Sequence, residues 1–509
     1  MTVWEDGAER PPRLGLGVLK RGLLAMAIVV AMSATALATT VLLELDDVKT
    51  EFFKGQGREV LDIPEITKAD AGGARTFLIL GSDARYADKK AGLKPRSDTI
   101  LLVRADPNKS AIAVMSIPRD LAVDIPGYGQ DKINAAYEQG GPRLTVRTVK
   151  KLFEDATGED FAINNVINVD FSGFRRAVDY IGGVYVDVDR RYFNDVTGPG
   201  GYAAIDIQPG YQLLNGQDAL DYVRYRHTDD DFARAARQQG FLRLARRQPG
   251  VRKLVSIGDR GKLMRTFRRY FKVDRSFSST KQVFSMIKLA LELVQGSPRV
   301  HQVRFKADYA ADAAVDTRLY ASSEQVAASV RAFMDPPEPP AAPAPQAARS
   351  PRPRTERGRG RRRPVPGMVD ARAIGADQAA LARGKLDFPF YFPALRTEQA
   401  TYADGGPRTY TIRDGRGRRH DAYRLVVATG EMGQYYGVQG MTWKQPPILD
   451  DPDGTTTIDG RRFRLYRDGR RIRLVAWETR RAVYWVSNTL TSSLTNRQML
   501  ATAESLTRR

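Results

Sequence analysis

The chain has 509 residues, with 80 Lys and Arg against 59 Asp and Glu, a formal net charge of +21 and 42% apolar residues. Its length allows about three domains, and its apolar content excludes wholesale disorder. The absence of cysteine excludes disulfides, thiolate metal sites and thiol catalysis, and the three scattered histidines argue against a multi-histidine site. Any chemistry must therefore depend mainly on Arg, Lys, Asp, Glu and hydroxyl groups.

The first predicted element is a membrane-spanning helix over residues 22–43. This run carries no charge and follows four basic residues: Arg10, Arg13, Lys20 and Arg21. It is long enough to cross a hydrocarbon core of about 30 Å. The basic flank predicts that residues 1–21 form a cytoplasmic tail and that the folded domains lie outside the cell. A cleaved signal peptide is the alternative, since Ala36, Leu37 and Ala38 fit a cleavage site, but the length of the run favours a retained anchor.

Residues 72–334 are predicted to form an α/β domain with a helical extension at its C-terminal end. Short apolar runs alternate with segments of helical periodicity, which predicts a layered α-β-α fold around a central mixed sheet. The predicted strands are residues 76–80, 99–104, 111–117, 164–169 and 184–188. The predicted helices are residues 144–156, 174–181, 216–222, 233–247 and, in the extension, 282–294.

A linker over residues 335–366 is predicted to separate this domain from a second folded unit. It contains ten prolines and eight arginines in 32 residues, a composition that favours an extended chain. Residues 386–507 are predicted to form a smaller C-terminal α+β domain of unassigned role. Its predicted elements are strands at residues 424–428, 462–466, 471–477 and 482–486, a hairpin turn at Asp468 and Gly469, and a helix at residues 496–506.

Four segments of the α/β domain concentrate Arg, in three cases together with Asp, at or near the ends of predicted elements: residues 81–85, 96–98 and 117–120, which contain both residue types, and residues 222–227, which contain two arginines. Residues two apart in an extended backbone face the same side. This alternation predicts three pairs, each presented to one surface: Asp83 with Arg85, Arg96 with Asp98, and Arg224 with Arg226. On the next helix, Asp231, Arg234 and Gln238 are predicted to share a face.

Ligands of open α/β sheets bind at the strand ends, and six arginines are predicted to converge there: Arg85, Arg96, Arg119, Arg224, Arg226 and Arg234. Their mutual repulsion predicts a bound anion, and guanidinium groups suit phosphate oxygens. Two carboxylates among them suit Mg²⁺, which prefers carboxylate and phosphate oxygens. The alternative is a network of structural salt bridges. The excess of arginines over aspartates favours a diphosphate site.

These motifs resemble those of a known family. Residues 81–85, 94–100, 116–120, 131–137 and 213–239 resemble, in order and with compatible spacing, the LytR-CpsA-Psr family of membrane-anchored wall phosphotransferases. The resemblance covers residues 76–247. It implies an enzyme that moves a glycopolymer from a polyprenyl-diphosphate carrier to a peptidoglycan hydroxyl and leaves a phosphodiester link. It also implies an apolar cavity for the lipid between the sheet and the helices.

The resemblance implies a role for each candidate residue. Asp83 and Asp98 would hold Mg²⁺, or Mn²⁺ in its place. Arg119 would contact the reacting diphosphate, and Asp231, one of three successive aspartates, would be the general base. The remaining residues would bind the diphosphate: Arg85, Arg96, Arg224, Arg226, Arg234 and Gln238.

The expected partners are a polyprenyl-diphosphate-linked glycopolymer, peptidoglycan and the lipid bilayer, and no nucleic acid is expected. The expected location is the cell membrane, with a single span and the N-terminus in the cytoplasm. Two alternatives stay open at this stage. One is a polyprenyl-diphosphate hydrolase, in which water replaces the acceptor hydroxyl. The other is a non-catalytic cationic tether that binds anionic wall polymers.

Overall fold

The computed structural model describes residues 60–70, 73–82, 95–195, 204–225, 231–250, 271–278, 299–310, 312, 316–335 and 365–508. The predicted membrane helix at residues 22–43, the predicted helix at residues 282–294 and residues 336–364 of the predicted linker lie outside these ranges. Within the ranges, no helix combines the length and apolarity that a membrane crossing requires.

Residues 60–335, here called the N-terminal unit, contain fourteen described strands. They are β1 (Arg75–Ser82), β2 (Ser97–Asp106), β3 (Ala111–Ile117), β4 (Ala122–Ile125), β5 (Gly129–Lys132), β6 (Asn165–Asp170), β7 (Val184–Val188), β8 (Tyr192–Asn194), β9 (Ile205–Ile207), β10 (Gly210–Leu214), β11 (Phe271–Val273), β12 (Arg299–Arg304), β13 (Asp308–Tyr309) and β14 (Leu319–Tyr320). The helices of this unit are α1 (Ile133–Thr157), α2 (Phe171–Tyr180), α3 (Gly216–Arg224), α4 (Asp231–Arg246) and α5 (Ser323–Met334), with a 3₁₀ turn at Arg275–Ser278.

Six of these strands form the central sheet, in the order β11-β6-β1-β2-β3-β12. β1 pairs with β6 and β3 pairs with β12 in parallel, whereas the other neighbours are antiparallel. The prediction of a central mixed sheet is therefore confirmed. Since β1, β3, β6 and β12 run in the same direction, their carboxyl ends meet at one edge, together with the start of β2.

The two faces of this sheet are covered differently, because successive strand residues point to opposite sides. One face packs against α1 and α5. The side chains on this face are fully buried, among them Leu78, Leu80, Ile100 and Val166. On the opposite face, α2 packs against β6, whereas α4 packs against β3 and β12. The surface over β1 and β2 therefore lies in the gap between these helices.

The predicted strands of this unit are confirmed to within two residues at each end. The helix predicted at residues 144–156 is longer, since α1 begins at Ile133. Gly140, Gly141 and Pro142 end the helical pattern in the sequence, but in the structure they form a kink that joins two helical segments, with Gly141 at a φ of 63°. Gly158 ends α1 in the left-handed conformation that a residue with a Cβ seldom adopts.

Residues 365–508, here called the C-terminal unit, consist mainly of antiparallel strands. They are β15 (Met368–Asp370), β16 (Tyr391–Pro393), β17 (Leu395–Thr397), β18 (Thr401–Tyr402), β19 (Arg408–Arg413), β20 (Arg419–Ala428), β21 (Tyr435–Met441), β22 (Gly454–Ile458), β23 (Arg461–Asp468), β24 (Arg471–Glu478), β25 (Val483–Ser487) and β26 (Leu506–Arg508). The helices are α6 (Arg372–Leu381) and α7 (Asn496–Glu504), with a 3₁₀ turn at Pro447–Leu449. Eight strands form one sheet, β18-β20-β21-β25-β24-β23-β22, with β19 beside β20.

The two units are joined by a buried polar and aromatic contact. Asp187 on β7 accepts hydrogen bonds from Arg424 Nη1 at 3.1 and 3.3 Å and from Trp485 Nε1 at 3.0 Å. Beside it, the Tyr211 ring meets Trp485 edge-on, with centroids 5.6 Å apart. The antiparallel pair of β7 and β10 in the N-terminal unit thus packs on the sheet of the C-terminal unit.

Candidate functional site

An apolar cavity of about 420 Å³ lies between the central sheet and helices α2, α3 and α4. Its floor is the sheet face that the helices leave uncovered: Ile79, Leu101, Ile167 and Val169. Its walls are helical side chains, among them Phe174, Ala177, Val223, Phe241 and Leu242. The volume falls in the range of small-molecule sites, which are mostly apolar with a few polar groups.

The polar residues of the cavity gather at the edge where β1, β3 and β6 end. Asp98 at the start of β2 and Arg119 just after β3 both line it. Arg119 Nη1 donates to Asp98 Oδ1 at 2.6 Å, and Arg119 Nε donates to Asp120 Oδ2 at 3.3 Å. Lys132 Nζ lies 3.0 Å from the other oxygen of Asp120. This chain of alternating charges holds the Arg119 side chain, which is 18% exposed, at the polar end.

The charges around Asp120 set its protonation state. Burial raises the pKa of Asp120, but the positive charges of Arg119, Lys132 and Arg234 outweigh it, and the pKa lies below its ordinary value. Asp120 is therefore ionised at neutral pH and acts as a fixed anion. Its effect is to orient Arg119 toward the cavity.

Helices α3 and α4 supply the other polar residues of this end. Arg224, the last residue of α3, has its Nε 3.4 Å from Asp221 Oδ1 and its guanidinium 5.1 Å from the centroid of the Phe171 ring. Gln238 Nε2 on α4 donates to Thr99 Oγ1 and to the Val223 carbonyl, both at 3.2 Å. These bonds tie α4 to β2 and to α3 at the polar end.

The structure therefore brings five predicted site residues together around one cavity: Asp98, Arg119, Arg224, Arg234 and Gln238. One local prediction is wrong, because Arg224 lies in the last turn of α3 and not in an extended segment, so the alternation argument does not apply to it. Arg96 does not line the cavity: its side chain is 56% exposed and its Nε is 2.5 Å from Glu138 Oε2.

Four predicted positions cannot be compared with the structure. Asp83, Arg85 and Arg226 lie outside the described residues, and for Asp231 only the backbone, at the start of α4, is described. Their assigned roles stay predictions.

The sequence assigned no site role to three residues of the polar end: Asp120, Lys132 and Thr99. Asp120 lies in a segment that the sequence singled out, but its role as the carboxylate partner of Arg119 depends on side-chain direction. Lys132 belongs to β5 and reaches Asp120 through the fold, at twelve residues' separation. The only sequence signal for it was its place in the segment at residues 131–137.

The contacts of the described arginines bear on both interpretations of the arginine clusters. Arg119 and Arg224 each lie beside a carboxylate, as the salt-bridge alternative predicts. They also line the polar end of an apolar cavity together with Arg234, which is 7% exposed. A site with an apolar interior and a cationic end is suited to an amphiphilic anion.

Asp98 has the donor chemistry that Mg²⁺ requires. It presents a carboxylate that is 31% exposed at the polar end of the cavity. Among the residues that the structure describes, no group of three His, Cys, Asp or Glu side chains could hold a metal ion. Mg²⁺ sites commonly use only one or two protein carboxylates together with phosphate oxygens. The described residues thus fit a Mg²⁺ ion that is shared with a phosphate ligand.

Comparison with known proteins places the chain in a family. Residues 37–332 match the model of the LytR_cpsA_psr family. The match covers more than half of the sequence, and the chain belongs to this family, as the motifs predict.

Two curated relatives and one solved structure illustrate the similarity. The regulatory protein MsrR of Staphylococcus aureus is 34% identical over 179 residues, which are 35% of this chain and 49% of MsrR. The polyisoprenyl-teichoic acid–peptidoglycan teichoic acid transferase TagU of Oceanobacillus iheyensis is 36% identical over 180 residues, 34% of this chain and 50% of TagU. The chain thus spans about half the length of these relatives. A structure of TagT bound to LIIa-WTA has 23% identity and a TM-score of 0.40, and the match covers 55% of this chain and 98% of that one.

Proposed function

We propose that the protein is a phosphotransferase that moves a glycopolymer from a polyprenyl-diphosphate carrier to a peptidoglycan hydroxyl. The observation that carries this proposal is the cavity, whose apolar interior would take the polyprenyl chain and whose end with Arg119, Arg224 and Arg234 would take the diphosphate. Family membership and the transferase named among the relatives support it. The predicted anchor at residues 22–43 would keep the enzyme at the membrane that contains its lipid-linked donor.

The proposed reaction is a displacement at phosphorus. The acceptor hydroxyl oxygen bonds to the phosphorus that carries the glycopolymer, and the bond from that phosphorus to the bridging oxygen breaks. The products are a phosphodiester and polyprenyl monophosphate, and Asp231 would take the hydroxyl proton. Phosphoryl transfer depends mainly on positioning and charge neutralisation, so arginines held in place by aspartates are suitable groups for it.

The polar end would also hold the metal ion. Asp98, together with the predicted ligand Asp83, would hold Mg²⁺ or Mn²⁺, and the bound ion would supply positive charge to the diphosphate oxygens. Arg119, Arg224 and Arg234 would bind the remaining oxygens, with Gln238 beside them. Arg85, Arg96 and Arg226 stay predicted ligands of the diphosphate on sequence grounds.

The test is a transfer assay with the full chain, a polyprenyl-diphosphate-linked glycopolymer and peptidoglycan. We expect a covalent polymer–peptidoglycan conjugate in the presence of Mg²⁺ and its loss on chelation. Asp98→Asn should lower the rate about 10- to 100-fold. Asp124→Asn is the matched control, since Asp124 lies on β4, is 53% exposed and does not line the cavity.

The products separate the alternatives. Polyprenyl monophosphate and released polymer without a conjugate would identify a hydrolase. Salt-sensitive polymer binding with no turnover, unchanged in Asp98→Asn, would identify a cationic tether. Either result would overturn the proposed transferase.

A further inference from the structure

A second recess, of about 150 Å³, opens at the carboxyl ends of β3 and β12. It lies across α4 from the apolar cavity. Arg234, Gln238 and Leu242 on one side of the helix line the cavity, whereas Phe232, Ala235 and Gln239 on another side line the recess. The two openings therefore share the part of α4 between Phe232 and Leu242 as a common wall.

The C-terminal unit forms the far wall of this recess. Arg471 of β24 and the loop at residues 490–492 face Pro118 and Arg304 of the N-terminal unit. The position of this wall is tied to the central sheet, because the backbone N–H of Gln302 on β12 donates to Asp468 Oδ1 at 3.1 Å. The recess exists only because the two units are packed together, and we call it the interunit recess.

The lining of the interunit recess combines cations, hydroxyls and an aromatic ring. The Arg304 guanidinium lies 4.6 Å from the centroid of the Phe232 ring. Both carboxylate oxygens of Asp468 have partners within the protein. Oδ1 accepts from the backbone N–H of Gln302, and Oδ2 lies 3.2 Å from Arg243 Nη2. Arg304 and Arg471 are both exposed and leave the recess with a positive character. Hydroxyls and guanidinium groups together suit a saccharide that carries carboxylates.

The loop of the C-terminal unit in this wall has a strained backbone. Ser492 adopts a φ of 56°, a conformation that residues with a Cβ rarely take. The preceding Thr491 is fixed by its hydroxyl, which donates to Gln434 Oε1 at 2.7 Å. Strain of this kind persists where the surrounding structure holds it, and it clusters at ligand sites.

The recess and the cavity have neighbouring residues in their linings, and the geometry of phosphoryl transfer relates the two openings. The attacking and leaving oxygens of a phosphoryl transfer lie roughly in line, on opposite sides of the phosphorus. With the leaving polyprenyl phosphate in the cavity, the acceptor hydroxyl must approach from the opposite side of the polar end. Pro118 of the recess directly precedes Arg119 of the polar end, Ala235 of the recess directly follows Arg234, and Phe232 lies two residues before it.

We propose that the interunit recess binds the peptidoglycan strand that supplies the acceptor hydroxyl, with Arg471 and Ser492 of the C-terminal unit among its contacts. This inference rests on the proposed transferase function. It gives the C-terminal unit a role in acceptor binding. A substitution of Arg471 should therefore change the KM for the acceptor and not the KM for the lipid-linked donor.

The test compares Arg471→Gln with wild type in the full chain, with a soluble peptidoglycan oligosaccharide as acceptor. We expect the KM for this acceptor to rise about tenfold, because a charge-assisted contact is lost, while the KM for the lipid-linked donor stays within about twofold. Direct calorimetric titration of the same oligosaccharide, without donor, should show a matching loss of affinity. Arg470→Gln is the control, since Arg470 is exposed at the neighbouring turn and is not part of the recess lining.

The outcomes distinguish this inference from the proposed function. A wild-type protein that forms no conjugate with any acceptor would overturn the transferase itself. If the wild-type protein forms the conjugate but the acceptor KM of Arg471→Gln is unchanged, only the role of the recess is overturned. A rise in the KM for the donor alone would assign the recess to the donor polymer and would equally contradict the proposal.

Discussion

The central sheet of the N-terminal unit and the large sheet of the C-terminal unit differ in how their apolar faces are covered. In the C-terminal unit, aromatic side chains fill the space against the sheet, with Trp477 1% exposed and stacked on Tyr484 at a centroid distance of 5.1 Å. In the N-terminal unit, one face of the sheet is just as well covered, but the other leaves Ile79 and Ile167 on the floor of a 420 Å³ cavity.

This difference separates side chains that stabilise the fold from those that shape a site. An empty apolar cavity lowers stability, since its lining loses packing contacts. The same chain closes an apolar sheet face completely in its C-terminal unit, so the open face over β1 and β2 is a local feature of one region. A ligand with a long apolar part would recover the lost contacts.

The largest expected effect is on the free energy of unfolding, through the aromatic core of the C-terminal unit. Trp477→Ala should lower the free energy of unfolding by about 3–5 kcal/mol, because a fully buried aromatic side chain leaves a void. Phe174→Ala, in the wall of the cavity, should cost less than half of that, because its ring already faces open space on one side. Denaturant titration of both variants measures the difference, and equal losses would contradict the contrast between the two regions.

The next effect concerns catalysis at the polar end. Arg119→Ala should lower kcat for transfer about 100- to 1000-fold, because a positioned cation is lost where charge develops, with little change in melting temperature. Arg96→Ala should lower it less than tenfold, since Arg96 is largely exposed and pairs with Glu138. Steady-state rates with the lipid-linked donor test both. If the rate of Arg119→Ala stayed at the wild-type value, Arg119 would be removed from the mechanism.

The smallest effect concerns the cavity itself. Ala177→Trp on α2 would place an indole in the cavity and should raise the KM for the lipid-linked donor about tenfold with a small change in stability. Arg176→Trp puts the same side chain on the exposed side of α2 and should leave the KM unchanged. A donor KM that is the same in both variants would show that the lipid does not occupy this cavity.

Much of the local structure could be predicted from sequence, for identifiable reasons. The strands β1, β2, β3, β6 and β7 are short apolar runs bounded by polar or turn residues, and these signals are local. The start of α1 could not be predicted in the same way, because Gly140, Gly141 and Pro142 end the helical pattern and only tertiary packing joins the two segments.

The candidate site shows the same limit. Asp98, Arg119 and Gln238 were recognisable as site residues because motif and spacing marked them. The exposed position of Arg96 and the place of Lys132 beside Asp120 depend on where α1 and β5 lie, which the local pattern does not contain. The contact of Asp187 with Arg424 joins residues 237 positions apart and had no sequence signal.

The sequence by itself determined the mixed α/β character of the first unit, its family and most of the residues at the polar end, because periodicity and short motifs are properties of neighbouring residues. Only the tertiary structure decided which sheet face stays open, which arginines face the cavity and which loop of the C-terminal unit closes the interunit recess. Those features depend on how distant elements pack, and packing is decided by the shapes of surfaces that the linear order of residues does not bring together.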